Sequence, residues 1–310
     1  MRKRVNKKFV LFGLIVLILS GFLFSPYVMA GGLKKIVAVS RFENRTSSDS
    51  GGQYEIGDGI SDQLTDALIQ SGQFVVLERQ TLTDVISEGD LAASGRFQES
   101  KSAMTGKLTS AQILVKGTIT EFESKSSGSG AGIDVGRFRI GGKKGEAHVG
   151  VIIRLIDTTT GEVLDSKRVE GKAKSGGINF SIDIDGIDFD SESFKKTPLG
   201  KATQIAIDTA VEFIASSIEE LPFQGSIIKA TEKGIYINAG DKTGASIGDV
   251  FTVYSVGEEL VDPVTGELLG VEEEEIGTIK ICEIKEKYSK CEIINTPTGS
   301  IKTGDIIRSD

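Results

Sequence analysis

The amino-acid sequence predicts an α/β (α+β) domain followed by a small all-β, barrel-like domain. Three observations carry that reading. From Lys35 to Phe122, β-branched runs alternate with helical periodicities, the strand–helix–strand order of an α/β layer. After Leu221-Pro222 the helical periodicity stops, and residues 225–310 break into short alternating strands separated by turn residues. Between these parts, Ile178 to Asp185 alternates apolar and polar residues without a miss, the period of a strand with two unlike faces.

Residues 1–30 are set apart from the fold. Arg2, Lys3, Arg4, Lys7 and Lys8 precede an apolar run from Phe9 to Phe24, and Val28-Met29-Ala30 resembles a cleavage site. This is the pattern of a secretory signal peptide, with an uncleaved anchor as the competing reading. The run falls short of the ~20 residues that a helical span needs. No Cys follows Ala30, so attachment through a lipoprotein signal is not expected. Residues 31–310 carry 31 basic and 44 acidic side chains, a formal charge of −13, which argues against nucleic acid as a partner.

The elements follow in order. Lys35 to Phe42 reads as a buried strand, and Glu43 to Glu55, polar and rich in Gly and Ser, as a loop with Tyr54 its single aromatic. Asp58 is placed to cap a helix carrying Ile60, Leu64 and Leu68, and Gly72 ends it. Phe74 to Leu77 is a second strand. Gln80 to Glu88 is expected as a helix with Leu82, Val85 and Ile86 inward, and Glu99 to Leu108 as a further helical stretch. Ile113 to Phe122 is a third strand. A Gly-rich stretch from Ser124 to Gly150 leads into an alternating strand ending at Leu155. The turn Asp157-Thr-Thr-Thr-Gly161 then returns the chain as Val163 to Ala173, and Ser175-Gly176-Gly177 signals another turn. Ile205, Ala206, Ala210, Phe213, Ile214 and Ile218 mark an amphipathic helix from Leu199 to Ile218. In the last part, Ile247-Gly248-Asp249-Val250-Phe251 and Thr303-Gly304-Asp305-Ile306-Ile307 repeat one turn-into-strand pattern.

Catalytic chemistry is largely missing from this pattern. His148 is the lone histidine, so a histidine triad or a multi-histidine metal site within one chain is not expected. Gly128-Ser-Gly130-Ala-Gly132 lacks the spacing, Lys and following helix of a phosphate loop. Asp183, Asp185, Gly186 and Glu192 match four positions of a calcium loop, but Ser181 stands at its first position and strand alternation runs through it. No catalytic residue, cofactor or metal is therefore expected, and no enzymatic activity. Cys282 and Cys291 are the two cysteines; a two-residue turn at Glu286-Lys287 would set them opposite each other, where a cross-strand disulfide becomes available.

Four segments together resemble the CsgG family, the curli-type secretion channels of bacterial outer membranes. They are Ile36-Val-Ala-Val-Ser-Arg-Phe42, Phe74-Val-Val-Leu-Glu-Arg-Gln80, Ala111 to Gly117, and Val151 to Leu164 with its Leu-Ile-Asp-Thr-Thr-Thr-Gly-Glu-Val-Leu. The resemblance covers roughly residues 33–220. From Gly225 onward the chain is similar to the C-terminal domain of the flagellar assembly protein FlgT, through Asp262-Pro-Val-Thr-Gly-Glu-Leu-Leu-Gly270 and Glu286-Lys-Tyr-Ser289.

The resemblance implies a signal peptide at 1–30, a periplasmic CsgG-like domain at 31–222, and a FlgT-like β domain at 223–310. It implies a homo-oligomeric ring in which each subunit lends two hairpins, near residues 119–153 and 163–189, to one shared barrel. Four strands per subunit in a barrel of ~36 strands would take about nine subunits. Cargo would be unfolded polypeptide, with accessory periplasmic proteins as further partners and the outer membrane as the site. Ile178, Phe180, Ile182 and Ile184 would then face lipid, and Asn179, Ser181, Asp183 and Asp185 the lumen. Val169, Gly171 and Ala173 would form the partner strand's outward face. The loop Glu43 to Glu55 would line the narrow part of the conduit, with Asn44 and Tyr54 as its candidates, although the family's Asn-Phe pair has no match there. The second reading is a soluble or peripheral periplasmic assembly protein whose Gly-rich hairpins pack on protein.

Overall fold

Between Ile36 and Val39 no residue is polar, and a strand apolar on both faces belongs inside a sheet rather than at its rim. The computed structural model describes residues 32–46, 53–94, 109–127, 132–135, 138–141, 144–175, 179–182, 188–232, 234–266, 268–295 and 297–309. Its first part runs β1 (Lys35–Val39), β2 (Glu43–Asn44), α1 (Gln53–Ser71), β3 (Phe74–Leu77), α2 (Leu82–Ala93), β4 (Ile113–Ser127), β5 (Gly132–Val135), β6 (Phe138–Gly141), β7 (Lys144–Asp157), β8 (Val163–Ser175) and β9 (Asn179–Ile182). Then follow α3 (Glu192–Lys195), α4 (Pro198–Glu219), β10 (Gln224–Thr231), β11 (Gly234–Ile237), β12 (Val250–Val261), β13 (Leu268–Ile284), β14 (Ser289–Ile293) and β15 (Ile306–Arg308).

The main sheet has the order β3-β1-β4-β7-β8, with β2 beside β4. β1 is parallel to β3 and β4, whereas β7 is antiparallel to its two neighbours, β4 and β8. Helix α1 lies over β1 and β3, α4 over β7 and β8, and the two helices touch. Ile60, Leu64 and Leu68 of α1 and Ala206, Ala210 and Ile214 of α4 meet Val151, Ile153 and Leu155 in one buried core. Thr197 starts α4, its hydroxyl accepting from the Gly200 N–H at 3.0 Å, and Pro198 occupies the first turn.

Two helix expectations change. Asp58 does not cap α1, which begins at Gln53; its carboxylate pairs with Arg41 from within the helix. Gly72 does end α1, with φ of +66°. In α2, Val85 and Ile86 are not inward: they are 39% and 47% exposed. The further stretch from Glu99 to Leu108 lies outside the described residues, as do residues 1–31.

From β10 the chain closes a six-stranded barrel, β10-β11-β14-β13-β12-β15, around Ile227, Ile237, Phe251, Val253, Ile279 and Ile307. The repeated Gly-Asp pattern has one geometry in both copies. Gly248 and Gly304 have φ of +99° and +98°. Asp249 Oδ2 accepts from the Ser246 N–H at 2.7 Å, and Asp305 Oδ2 from the Lys302 N–H at 2.6 Å. The two Gly N–H groups donate to the carbonyls of Ile281 and Ile227, each at 2.9 Å. The turn at Glu286-Lys287 also forms, closed by the Lys285 N–H donating to the Tyr288 carbonyl.

The cysteines do not pair. A β-bulge inserts Cys282, so Cys291 faces Ile281 instead. Cys291 is buried in the barrel, Cys282 is exposed, and both are free thiols. Burial pushes the Cys291 thiol up to about 12.

Candidate functional site

The long strands that leave the core are the part of the domain that its own packing does not explain. β4 and β7 pair from Ile113↔Asp157 out to Ser127↔Lys144, well past the last core residues Phe122 and Ala147. β5 and β6 continue the same hairpin, and β9 pairs with β6 in a separate three-stranded sheet.

The expected second hairpin at 163–189 lies partly outside the described residues, as does the turn signal at Gly176-Gly177. Where it is described, β8 pairs with β7 and β9 with β6. Alternation without a partner cannot say which strand a segment joins, and here β6 supplies the ladder.

Near the core the inward positions of β7 are the odd ones, Ala147, Val149 and Val151, buried under α4 and Phe189. The matching β8 positions are Val169, Gly171 and Ala173, expected outward but packed on α4. Gly171 is required there, because a Cβ would stand 1.8 Å from the Ala202 carbonyl oxygen. In the tip sheet the register sets Ile133, Val135, Phe138, Ile140, Phe180 and Ile182 on one face. Asn179 and Ser181 share the other with Asp134 and Arg139. Ile178, Asp183, Ile184 and Asp185 lie outside the described residues.

Phe189 lies in the core, its ring 6.0 Å from Phe122 and 5.0 Å from Phe194, and β9 lies against β4 and β7.

The outer face at the base of the ribbon carries a charge ladder. Arg168 bridges Glu121 at 2.7 Å and Glu170 at 3.0 Å, and Lys172 meets Glu170 at 2.8 Å. The Lys172 hydrogen bond, helped by Arg168, holds the Glu170 carboxyl down to about 2. His148 Nε2 stands 3.4 Å from the same carboxylate, a strand residue of the polar face.

The loop candidates separate. Asn44 sits in β2 opposite Ile119, its side-chain oxygen accepting from the Thr46 N–H at 3.0 Å while Nδ2 is buried without a partner. Tyr54 falls in the first turn of α1. Residues 47–52 between them lie outside the described residues. The ion pair of Glu43 with Arg45 at 2.9 Å was not foreseen; opposite charges two positions apart were its signal.

An α/β domain whose sheet extends into a long amphipathic ribbon, followed by a closed barrel, defines the class. Residues 30–226 match the family described as "Curli production assembly/transport component CsgG". The chain belongs to the CsgG family. Among solved structures it is similar to a hypothetical protein of Chlamydia trachomatis, at 16% identity and a TM-score of 0.38 over 60% of this chain and 98% of that one. It is also similar to lipoprotein GNA1162 of Neisseria meningitidis, at 13% identity and a TM-score of 0.26 over 59% and 99%. A PelC dodecamer of Paraburkholderia phytofirmans shows 16% identity and a TM-score of 0.26 over 57% and 87%. No curated protein matches.

Proposed function

We propose that the chain is a subunit of an oligomeric outer-membrane channel that exports unfolded polypeptide, such as the subunits of a curli-like fibre. Beside family membership, the reading rests on the apolar face that the register gives the tip sheet. Helix α4 covers one face near the core, so the apolar face of the tip needs other apolar surroundings, and a bilayer is one. A three-stranded sheet has open edges that hydrocarbon cannot satisfy, so insertion demands neighbouring copies that close a barrel. Asn179, Ser181 and Arg139 then line water, and the loop from Asn44 to Tyr54 borders the conduit.

The test is Ile182→Asp in the full chain. A lipid-facing carboxylate is expected to abolish recovery of detergent-extracted rings while the domain still folds. Negative-stain images of the wild-type extract should show a ring with a detergent collar. Recovery of the whole protein as a soluble monomer once residues 1–30 are removed would sink the reading.

One observation favours a second reading, a soluble or peripheral periplasmic assembly protein. Val169, Gly171 and Ala173 are covered by protein rather than left to face outward. Rings without a collar, unaffected by Ile182→Asp, would select it. On either reading the barrel domain serves as an interaction module and the chain performs no enzymatic step.

A further inference from the structure

Three apolar residues that the helical periodicity assigns to buried faces are uncovered in the protomer: Val85 and Ile86 on α2, and Ile205 on α4, at 39%, 47% and 43% exposure. Helix α2 is twelve residues long, and among the described residues it buries only Ala92. Isolated helices of about 12–15 residues are marginal in water. At about 100° per residue, Leu82, Val85, Ile86 and Gly89 fall within an arc of about 100°, with Glu88 bordering it on one side and Asp90 on the other. Helix α2 holds three carboxylates and no Lys or Arg.

The exposed stripe at the start of α4 has the complementary chemistry. Ile205 stands one turn after Lys201, and Lys195 and Lys196 precede the helix. Lys196 meets Glu192 at 3.5 Å; Lys195 and Lys201 have no ion pair among the described residues.

Helix α2 follows β3, one edge of the sheet, in the chain, and α4 packs on β7 and β8, the latter the other edge. Two different, complementary patches are what a head-to-tail contact requires, whereas a two-fold dimer would need one patch to match itself. We propose that α2 of one copy docks on the start of α4 of a second copy, Val85 and Ile86 against Ile205 and the α2 carboxylates against Lys195 and Lys201. The inference rests on the oligomeric reading above and names the surface that would build it.

The test uses the full chain with Cys282→Ser as background, leaving the buried Cys291 as the sole native thiol. Ile86→Cys combined with Ile205→Cys, oxidised in the assembled protein, is expected to give a ladder of covalent dimers, trimers and larger species on a non-reducing gel. Neither single variant should give it. Glu88→Lys and Lys201→Glu should each lower the assembled fraction about five- to tenfold by light scattering, and the double variant should recover it. Both substitutions are on exposed positions, and unchanged thermal unfolding would confirm that the protomer stays folded. Assembly without a ladder and without a response to the charge swap overturns this contact and leaves the oligomeric reading standing. A protein that is monomeric throughout overturns both.

Discussion

Gly171 discriminates between a β8 face packed on protein and one presented to lipid. A Cβ at this position would lie 1.8 Å from the Ala202 carbonyl oxygen, 2.8 Å from its carbon and 2.9 Å from the Ala206 nitrogen. Carbon contacts settle near 3.5 Å, so α4 would have to retreat from β8 by roughly 1.5 Å. The obstacle is helix backbone, which cannot rotate aside as a side chain can. Gly171→Ala should therefore cost at the upper end of the ~1–3 kcal/mol typical of overpacking. At about 2–4 °C per kcal/mol for a domain of this size, a 3 kcal/mol loss lowers the melting temperature by about 6–12 °C. Gly150→Ala is the control. Its Cβ would meet the Glu121 carboxylate, the far end of a flexible side chain, and disturb an exposed ion pair worth about 0–1 kcal/mol. Melting followed by far-UV circular dichroism reads both. If Gly171→Ala melts with the wild type, or no lower than Gly150→Ala, α4 does not rest on β8 and the packing argument is wrong.

Phe189→Ala should cost about 3–5 kcal/mol, because the ring is buried between Phe122 and Phe194; a denaturant midpoint within error of wild type would contradict that placement. Lys35 lies over the Phe223 ring, and burial lowers its pKa to about 8, below its unfolded value. The unfolded chain then holds the extra proton between pH ~8 and ~10.5, so stability should rise with pH across that window, and Lys35→Met should remove the rise in pH-dependent denaturation curves. Glu170 is shifted the other way, its pKa about 2. The stability contributed by its ladder should be present above pH ~4.5, fade as the pH falls toward 2, and weaken with salt; a melting profile flat over that range refutes it. In native protein a thiol reagent should modify Cys282 and spare Cys291 until unfolding, and equal reaction of both would place Cys291 outside the barrel core.

Much of the architecture was legible where the deciding interaction is local. The alternation of Ala147 to Leu155, the turn at Asp157-Thr-Thr-Thr-Gly161 and the glycine stop of α1 each depend on residues within a few positions. Asp157 Oδ1 accepts from the N–H groups of Thr159 and Thr160, so that turn is written into four consecutive residues. The paired Gly-Asp motifs were legible for the same reason, and they reappear as two identical turns in one barrel.

The candidate site was legible only in part, because its defining features are choices between distant partners. Asn179 to Ile182 was recognisable as an amphipathic strand, yet only the ladder with Phe138–Gly141 decides which strand it joins. The outward side of Val169, Gly171 and Ala173 was decided by a helix some thirty residues later in the chain, which the strand's own pattern cannot report. A single bulge separated Cys282 from Cys291, since one extra residue in a strand turns a side chain to the other face. The sequence by itself determined most of the core strands and helices, the turn at Asp157-Thr-Thr-Thr-Gly161, and the CsgG family membership carried by those segments. Tertiary structure alone decided which strand pairs with which and which apolar faces stay uncovered, because register and burial are set by neighbours that lie far away along the chain.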